Sequence, residues 1–199
     1  PKAKLLPLSF MSESGQGGTL GNAILAMEYA AQQKVQIVNA SWGGADCSKT
    51  LKDSIQYLND KNILFVTASG NDGVDIDERP EYPAAFNMPN QINVGASSIY
   101  DITMGFSNFG LHLVHLVAPG YQIISTFPPN TYKFMDGTSM AAPFVSGAAA
   151  LLWSHRPRAS VAQIKSALLA GVDIAYHPVA THGRLNVQRS ILELEKLIP

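Results

Sequence analysis

The sequence predicts an α/β domain with a mostly parallel β-sheet, and three observations support this prediction. Short apolar runs alternate with helical patterns, and strands separated by helices pair in parallel through right-handed crossovers. The run 63–68 is apolar without alternation, which is typical of a strand covered on both faces. The 199 residues, of which 46% are hydrophobic, suffice for one compact domain.

The first half of the chain contains three predicted strands and two predicted helices. Thr19 or Asn22 caps the first helix, because its side-chain oxygen can accept a hydrogen bond from a free helical N–H. The second helix has one apolar stripe, formed by Leu51, Ile55 and Leu58. In order, the elements are a strand over 5–10, a helix that ends near 33, a strand over 35–40, the helix with this stripe and a strand over 63–68.

The second half begins with a loop over 69–90 that is rich in Gly, Asp, Asn and Pro. The elements predicted after it are a strand over 92–96, one or two strands over 111–117, a helix over 141–155, a helix that starts at Ser160 and a last turn or helix over 184–197. Ligands of such sheets bind at the carboxyl ends of the parallel strands. The loops 41–44 and 69–73 and the segment 136–143 are therefore the predicted site.

Charge and cysteine content exclude several classes of protein. The net charge of −1 offers no basic excess for nucleic acid or anionic lipid. No apolar run reaches the ~18–20 residues of a membrane-spanning helix. Cys47 is the only cysteine, so the chain can form neither an internal disulfide nor a cysteine metal site. Cys47 is either an idle thiol or the partner of a cysteine on another segment.

The segment Gly137-Thr138-Ser139-Met140-Ala141-Ala142-Pro143 places a serine hydroxyl at the start of a helix. Free N–H groups and a partial positive charge at a helix N-terminus can stabilise an oxyanion. Pro143 falls near the first turn, where a missing N–H costs least. By itself the pattern also fits an ordinary N-cap. It differs from the Gly-x-Ser-x-Gly nucleophile elbow of α/β-hydrolases, because Ala141 occupies the position of the second glycine.

Together with other segments, this pattern resembles the subtilisin-like serine proteases (subtilases, peptidase family S8). Gly-Thr-Ser-Met-Ala-x-Pro is that family's serine motif, and the similarity runs from Pro1 to about Ala170. It implies a three-layer fold with the sheet between helices, and it makes residues 1–199 the C-terminal part of one catalytic domain whose N-terminal strands are missing from this chain. The other matching segments are 41–44, 68–73, 82–84, 94–96, 106–110 and 118–120.

The resemblance assigns the chemistry to Ser139 and Asn71. Ser139 would attack the scissile carbonyl, and the Asn71 side chain would stabilise the oxyanion together with the Ser139 backbone N–H. No cofactor is required and no metal ligand is assigned. Some relatives hold a structural cation on backbone carbonyls, for which Ala84 and Phe86 are the nearest counterparts. The local length differs, so a calcium site is not located in this chain.

The resemblance also predicts a cleft for an extended peptide or protein substrate. Ser41, Trp42 and Gly43 would pair with it by β-augmentation, and Gly17 and Gly18 match the strand on its other side. The alternative for Trp42 is core packing. The other residues assigned to the cleft are Ala68, Ser69, Gly70 and Thr138.

Glu81 and Asp72 correspond to positions at the back and the rim of the pocket that accepts the P1 side chain. Two carboxylates there would favour lysine or arginine at P1 by charge pairing. The alternative is that both are solvated loop charges, in which case peptides with Phe and Arg at P1 are cleaved equally.

The chain lacks the family's Asp-Thr/Ser-Gly and His-Gly-Thr-His motifs, which should precede residue 1. A serine hydroxyl needs a general base, and the five histidines lie in other contexts. We therefore expect a serine endopeptidase whose Asp and His belong to an N-terminal segment, separated by internal cleavage. The alternative is that this chain is a truncated piece from which that segment has been removed. A propeptide inhibitor is a further candidate partner, and family analogy favours a secreted or periplasmic location. The alternative function is a pseudoprotease that binds peptides without cleaving them.

Overall fold

A six-stranded sheet lies at the centre of the computed structural model, which describes residues 2–11 and 18–198. Its strands are β1 (Ile37–Ala40), β2 (Leu64–Ala68), β3 (Gln91–Ser97), β4 (Leu116–Pro119), β7 (Asp173–Ile174) and β8 (Gly183–Arg184). A separate hairpin consists of β5 (Ile123–Phe127) and β6 (Thr131–Met135). The helices are α1 (Leu20–Gln32), α2 (Lys49–Asp60), α3 (Thr138–His155), α4 (Val161–Ala170) and α5 (Val187–Leu197).

The predicted parallel sheet is confirmed. The strand order is β1-β2-β3-β4-β8-β7, and every neighbouring pair is parallel except β7 and β8. Because β1 to β4 run in the same direction, their carboxyl ends meet at one edge of the sheet. The loops after β1 and β2 therefore lie side by side at this edge.

Helices cover both faces of the sheet, as the apolar run 63–68 predicts. Leu64 and Val66 pack against the face that carries α3, α4 and α5, whereas Phe65 between them packs against α1 and α2. This alternation follows from the two-residue period of a strand. The predicted stripe Leu51, Ile55 and Leu58 is buried against the α1–α2 face.

The capping prediction for α1 is confirmed at Thr19, whose hydroxyl accepts from the Asn22 N–H at 3.1 Å. Ser160 caps α4 in the same way and forms a capping box with Gln163. The prediction for Pro143 is wrong in detail, because α3 already begins at Thr138 and Pro143 lies in its second turn. A proline there offers no N–H to the Ser139 carbonyl one turn earlier.

Two strand predictions differ from the structure. Residues 5–10 form no strand, because within 2–11 and 18–198 their backbone finds no partner strand, and Leu5 is 93% exposed. The run 111–117 contains one strand, β4, which begins only at Leu116. The hairpin of β5 and β6 was not predicted, because its exposed strands have no clear inward and outward alternation.

Among the described residues, every helix is too short or too polar to cross a lipid bilayer.

Candidate active site

Three segments predicted to form the site meet at the carboxyl edge of the sheet. The loop after β1 contacts the start of α3, because Ser41 and Ser139 are hydrogen-bonded to each other. The loop after β2 contacts the same helix end through Gly70 and Asn71, which both bond to Thr138. Segments far apart in the sequence thus converge around Ser139.

Ser41 and Ser139 exchange two hydrogen bonds. The Ser139 hydroxyl donates to the Ser41 carbonyl oxygen at 3.1 Å, and the Ser41 hydroxyl donates to the Ser139 carbonyl oxygen at 2.8 Å. The second bond replaces the helical bond that Pro143 cannot provide. Ser139 is half-buried, so its carbonyl needs such a donor.

Asn71 is held by Thr138. Its side-chain oxygen accepts from the Thr138 backbone N–H at 2.8 Å and from the Thr138 hydroxyl at 3.0 Å. The amide nitrogen of Asn71 therefore faces away from Thr138 and has no partner in the described part of the chain. The Ser139 backbone N–H is also unpaired there, as expected near a helix start. Two free donors, the Asn71 amide nitrogen and the Ser139 N–H, thus lie at the residues that flank Thr138 at this helix end.

Gly120 shows why a glycine precedes the hairpin that leads into α3. Its N–H donates to Ser97, and its carbonyl accepts from the Gly137 N–H at 2.8 Å. A Cβ atom at Gly120 would lie 2.6 Å from the Ala96 Cβ and 2.8 Å from the Gly137 carbonyl oxygen. The close approach sets the start of α3 against the end of β3.

The loop after β1 pairs with the segment before the short helical turn at 84–86. Gly44 and Tyr82 exchange backbone hydrogen bonds of 2.8 and 2.7 Å. Trp42 is half-buried, packs against the α1–α2 core cluster and meets Phe10 edge-on with 5.5 Å between ring centres. Trp42 therefore contacts both the core cluster and Phe10.

Of the two predicted cleft glycines, Gly17 lies outside the described residues. Gly18 is described, and a Cβ atom there would lie 2.9 Å from side-chain atoms of Phe10 and Met11. Since Phe10 also contacts Trp42, Gly18 is close to the loop after β1. Ala68 ends β2, and the buried Ser69 hydroxyl donates to the Asn108 carbonyl, so both support the loop that carries Asn71.

Glu81 and Asp72 lie together beside this loop. A side chain at Gly70 would collide with the Glu81 carboxylate and the Asn108 amide, so Gly70 leaves room for both. Asn108 in turn accepts from the Asp72 N–H at 2.9 Å. Burial, followed by the hydrogen bond and the repulsion from Asp72, raises the pKa of the Glu81 carboxyl. The two carboxyl groups therefore form one interacting acidic pair next to Asn71.

The described part of the chain contains all five histidines, and none of them is hydrogen-bonded to Ser139. His115 is buried, its Nδ1 accepts from the Asn93 N–H at 2.9 Å, and burial lowers its pKa to about 3. His177 is also buried, and its Nδ1 lies 2.7 Å from the Thr103 hydroxyl. His155 pairs with Glu195 on the surface. Within residues 2–11 and 18–198, the Ser139 hydroxyl donates to the Ser41 carbonyl and is not hydrogen-bonded to any histidine.

Residues 2–11 and 18–198 contain no group of three or more His, Cys, Asp or Glu that could hold a metal ion. Ala84 was one of the nearest counterparts of the residues whose backbone carbonyls hold a cation in some relatives. Its carbonyl oxygen accepts hydrogen bonds from the Gln91 and Asn93 side-chain amides, at 3.2 and 2.8 Å.

The single cysteine, Cys47, is exposed.

Sequence reasoning missed three residues that support the site. Asn108 bridges the loop after β2, and Asn39 and Ser146 connect β1 to α3. Asn39 is a polar residue inside an apolar strand, and Ser146 interrupts an apolar helix about two turns after Ser139. A polar residue inside an otherwise apolar element predicts a hydrogen-bond partner on a neighbouring element, and this pattern could have identified Asn39 and Ser146 from the sequence.

Comparison with known proteins gives a consistent result. The family model described as the subtilase family, Peptidase_S8, matches residues 1–186. The chain is 40% identical over 158 residues to the major intracellular serine protease of Bacillus subtilis, covering 78% of this chain and 48% of that protein. It is 35% identical over 169 residues to subtilisin DY of Bacillus licheniformis, covering 84% and 60%.

A third relative, subtilisin-like protease 2 of Plasmodium falciparum, is 39% identical over 158 residues, which are 77% of this chain and 12% of that protein. The chain thus spans from 12% to 60% of the length of these curated relatives. Among solved structures, the self-cleaved protease domain of PatA superposes with a TM-score of 0.81 at 27% identity, covering 94% of this chain and 72% of that one. The prenylagaramide maturation protease PagA gives 0.78 at 29% identity, covering 89% and 68%.

Proposed function

This chain belongs to the subtilase family, and we propose that it supplies the nucleophile and the oxyanion donors of a serine endopeptidase. The observation that carries this proposal is the arrangement around the start of α3. There the Ser139 hydroxyl, the unpaired Ser139 N–H and an Asn71 amide turned outward by Thr138 all belong to one helix end and the loop bonded to it. A nucleophile at a helix end with two free donors suits attack on a carbonyl whose oxygen becomes negatively charged.

The proposed reaction is acyl transfer. The Ser139 oxygen bonds to the carbonyl carbon of the substrate while its proton passes to a histidine base. The oxyanion accepts hydrogen bonds from the Asn71 amide and the Ser139 N–H. The C–N bond then breaks, the leaving amine takes the proton from the histidine, and water hydrolyses the acyl-enzyme in a second round of the same steps.

The base and the aspartate that orients it are proposed to lie on a segment of the same protease outside these 199 residues. The edge of β1 supports this proposal, because β1 pairs only with β2 among the described strands. An unpaired strand edge suits an added strand.

The substrate is proposed to be an extended peptide that pairs with the loop 41–43. The acidic pair of Glu81 and Asp72 supports a preference for lysine or arginine at P1. The two carboxyl groups lie against the loop of Asn71, and no cation neutralises them by a salt bridge within the described residues. Arg79 acts on Glu81 only at longer range and lowers its pKa less than burial and Asp72 raise it. A guanidinium or ammonium group of the substrate would provide a direct counter-charge.

A fluorophosphonate probe tests the proposal. Protein that contains the complementing segment should be labelled at Ser139, as located by peptide mass spectrometry, whereas the 199-residue chain alone and a Ser139→Ala variant should not. Cleavage of a protein substrate should follow the same pattern. Peptide binding by the complemented protein without labelling would instead support the pseudoprotease alternative.

A further inference from the structure

A continuous row of hydrogen bonds connects the middle of α3 to its first turn through β1. The Ser146 hydroxyl donates to the Asn39 side-chain oxygen at 2.8 Å. The Asn39 side-chain nitrogen donates to the Ser41 hydroxyl at 2.9 Å. The Ser41 hydroxyl donates to the Ser139 carbonyl oxygen at 2.8 Å. We call these four residues the Asn39 relay.

The direction of the relay follows from what each group can donate. A hydroxyl has one proton, and an amide donates only from its nitrogen. Because the Asn39 nitrogen donates to Ser41, the Ser41 proton is available for Ser139. The opposite amide orientation would turn that proton toward Asn39. The Ser139 carbonyl, which receives no N–H from Pro143, would then lose its donor.

From this geometry we propose that Asn39 is a positioning residue for the nucleophile. It acts through Ser41, which holds the Ser139 carbonyl with its hydroxyl and receives the Ser139 hydroxyl at its own carbonyl. Loss of the Asn39 donor releases the Ser41 hydroxyl and lets Ser139 move at the start of α3. This inference rests on the proposed function, in which Ser139 is the attacking residue.

The position of Asn39 favours a role in geometry over a role in stability. Its side chain is exposed at the edge of the sheet in the described chain, and an isosteric replacement changes no apolar burial even where the proposed segment covers that edge. The helix α3 is anchored elsewhere, by Ala142, Val145 and Ala149, all of which are fully buried against the sheet. Removal of the relay should therefore shift the nucleophile without detaching the helix.

Isosteric substitution is the sharpest test. In Asn39→Asp, the carboxylate accepts hydrogen bonds but cannot donate, so it takes the Ser41 proton away from Ser139. Asn130→Asp introduces the same charge at the exposed turn of the β5–β6 hairpin and serves as its control. Ser146→Ala removes the outer bond of the relay and the weaker bond from the Ser146 hydroxyl to the Ala142 carbonyl of its own helix, at 3.3 Å. Its control is Ser54→Ala, because the Ser54 hydroxyl donates only to the Thr50 carbonyl of its own helix, at 2.9 Å.

The readouts are the second-order rate of fluorophosphonate labelling, kcat and KM for a peptide, and Tm, all with the complemented protease. Since a displacement of about 1 Å can cost ~10²-fold in rate, Asn39→Asp should lower labelling and kcat by roughly 10- to 100-fold. KM should change by less than about 2-fold, because the position of the Ser139 hydroxyl matters in the transition state and not for binding the substrate. Ser146→Ala should lower kcat by about 2- to 10-fold and leave Tm close to that of the unsubstituted protein. Both control variants should have the kcat and Tm of the unsubstituted protein.

Two outcomes separate this inference from the proposed function. If the unsubstituted protein is not labelled, the proposed function fails. The relay is then tested by a crystal structure of Asn39→Asp, in which the Ser41 hydroxyl should have left the Ser139 carbonyl. If the unsubstituted protein is labelled but Asn39→Asp reacts as fast as Asn130→Asp, the inference is overturned. It is also overturned if that crystal structure retains the Ser41–Ser139 contact.

Discussion

The Asn71 side-chain oxygen accepts two hydrogen bonds from a single residue, Thr138, through its backbone N–H at 2.8 Å and its hydroxyl at 3.0 Å. Thr138 is fully buried and directly precedes Ser139. The orientation of the Asn71 amide is therefore tied to the helix end that carries the nucleophile. The two proposed oxyanion donors, on Asn71 and Ser139, belong to one rigid unit.

Thr138→Val should lower kcat by roughly 10-fold and change KM little, because one of the two bonds that orient Asn71 is lost while the donor itself remains. Thr138→Ser is the matched control and should retain most of the activity. Asn71→Ala should give the largest decrease in kcat, because removal of such a donor in subtilisin costs ~10²–10³ in turnover. Steady-state kinetics of the complemented protease measure all three. Equal kcat for Thr138→Val and the unsubstituted protein would remove Thr138 from the site.

Glu81→Gln should reduce the preference for arginine over phenylalanine at P1 by about 10-fold, because a charge-assisted pair becomes a neutral hydrogen bond. The ratio of kcat/KM for two peptides that differ only at P1 gives this preference. Glu78→Gln removes an exposed carboxylate of the same loop and should leave the ratio unchanged.

The pH dependence of this preference offers a second measurement. Burial and the neighbouring Asp72 raise the pKa of Glu81. The arginine preference should therefore begin to fall, as the pH is lowered, at a higher pH than an ordinary glutamate would give. A preference that does not vary with pH would contradict a role for Glu81.

His115 should make the folded protein sensitive to acid. Burial lowers its pKa from 6.5 to about 3 in the folded state. Above pH 6.5 the group is neutral in both states and has no effect. As the pH falls below 6.5, the unfolded chain takes up a proton that the folded chain refuses, so stability is lost down to pH 3. At pH 5 the loss amounts to about 2 kcal/mol.

Urea unfolding at pH 7 and pH 5 measures this loss. His115→Gln should lose about 2 kcal/mol less than the unsubstituted protein over this interval, because glutamine does not titrate and its side-chain oxygen can still accept from the Asn93 N–H. The same loss in both proteins would show that His115 is not responsible.

Gly120→Ala should destabilise the fold by about 1–3 kcal/mol, because the added Cβ atom meets Ala96 and the Gly137 carbonyl at less than van der Waals distance. Gly147→Ala is the matched control in α3. Its added Cβ atom meets no atom within 4 Å, so it should stabilise the protein by about 0.5–1 kcal/mol through its helix propensity. Urea midpoints of the two variants should shift in opposite directions, and a shift in the same direction would contradict the packing argument.

Local patterns were sufficient to predict the parallel core. The stripe Leu51, Ile55 and Leu58 and the apolar run 63–68 each repeat with the period of their element, so burial could be predicted from neighbours in sequence. The segment 5–10 has a similar apolar character but forms no strand. A strand exists only where a second strand provides hydrogen bonds, and the described part of the chain offers none to it.

The parallel sheet and the candidate residues Ser139 and Asn71 were predicted from the sequence alone, because periodic apolar positions and short motifs are local properties. The tertiary structure decided which groups touch. Asn39 meets Ser146 across 107 positions, and Ser41 meets Ser139 across 98. Such bonds form within about 3 Å and depend on how α3 lies across β1, which packing of the whole core determines. No pattern within either segment encodes that distance.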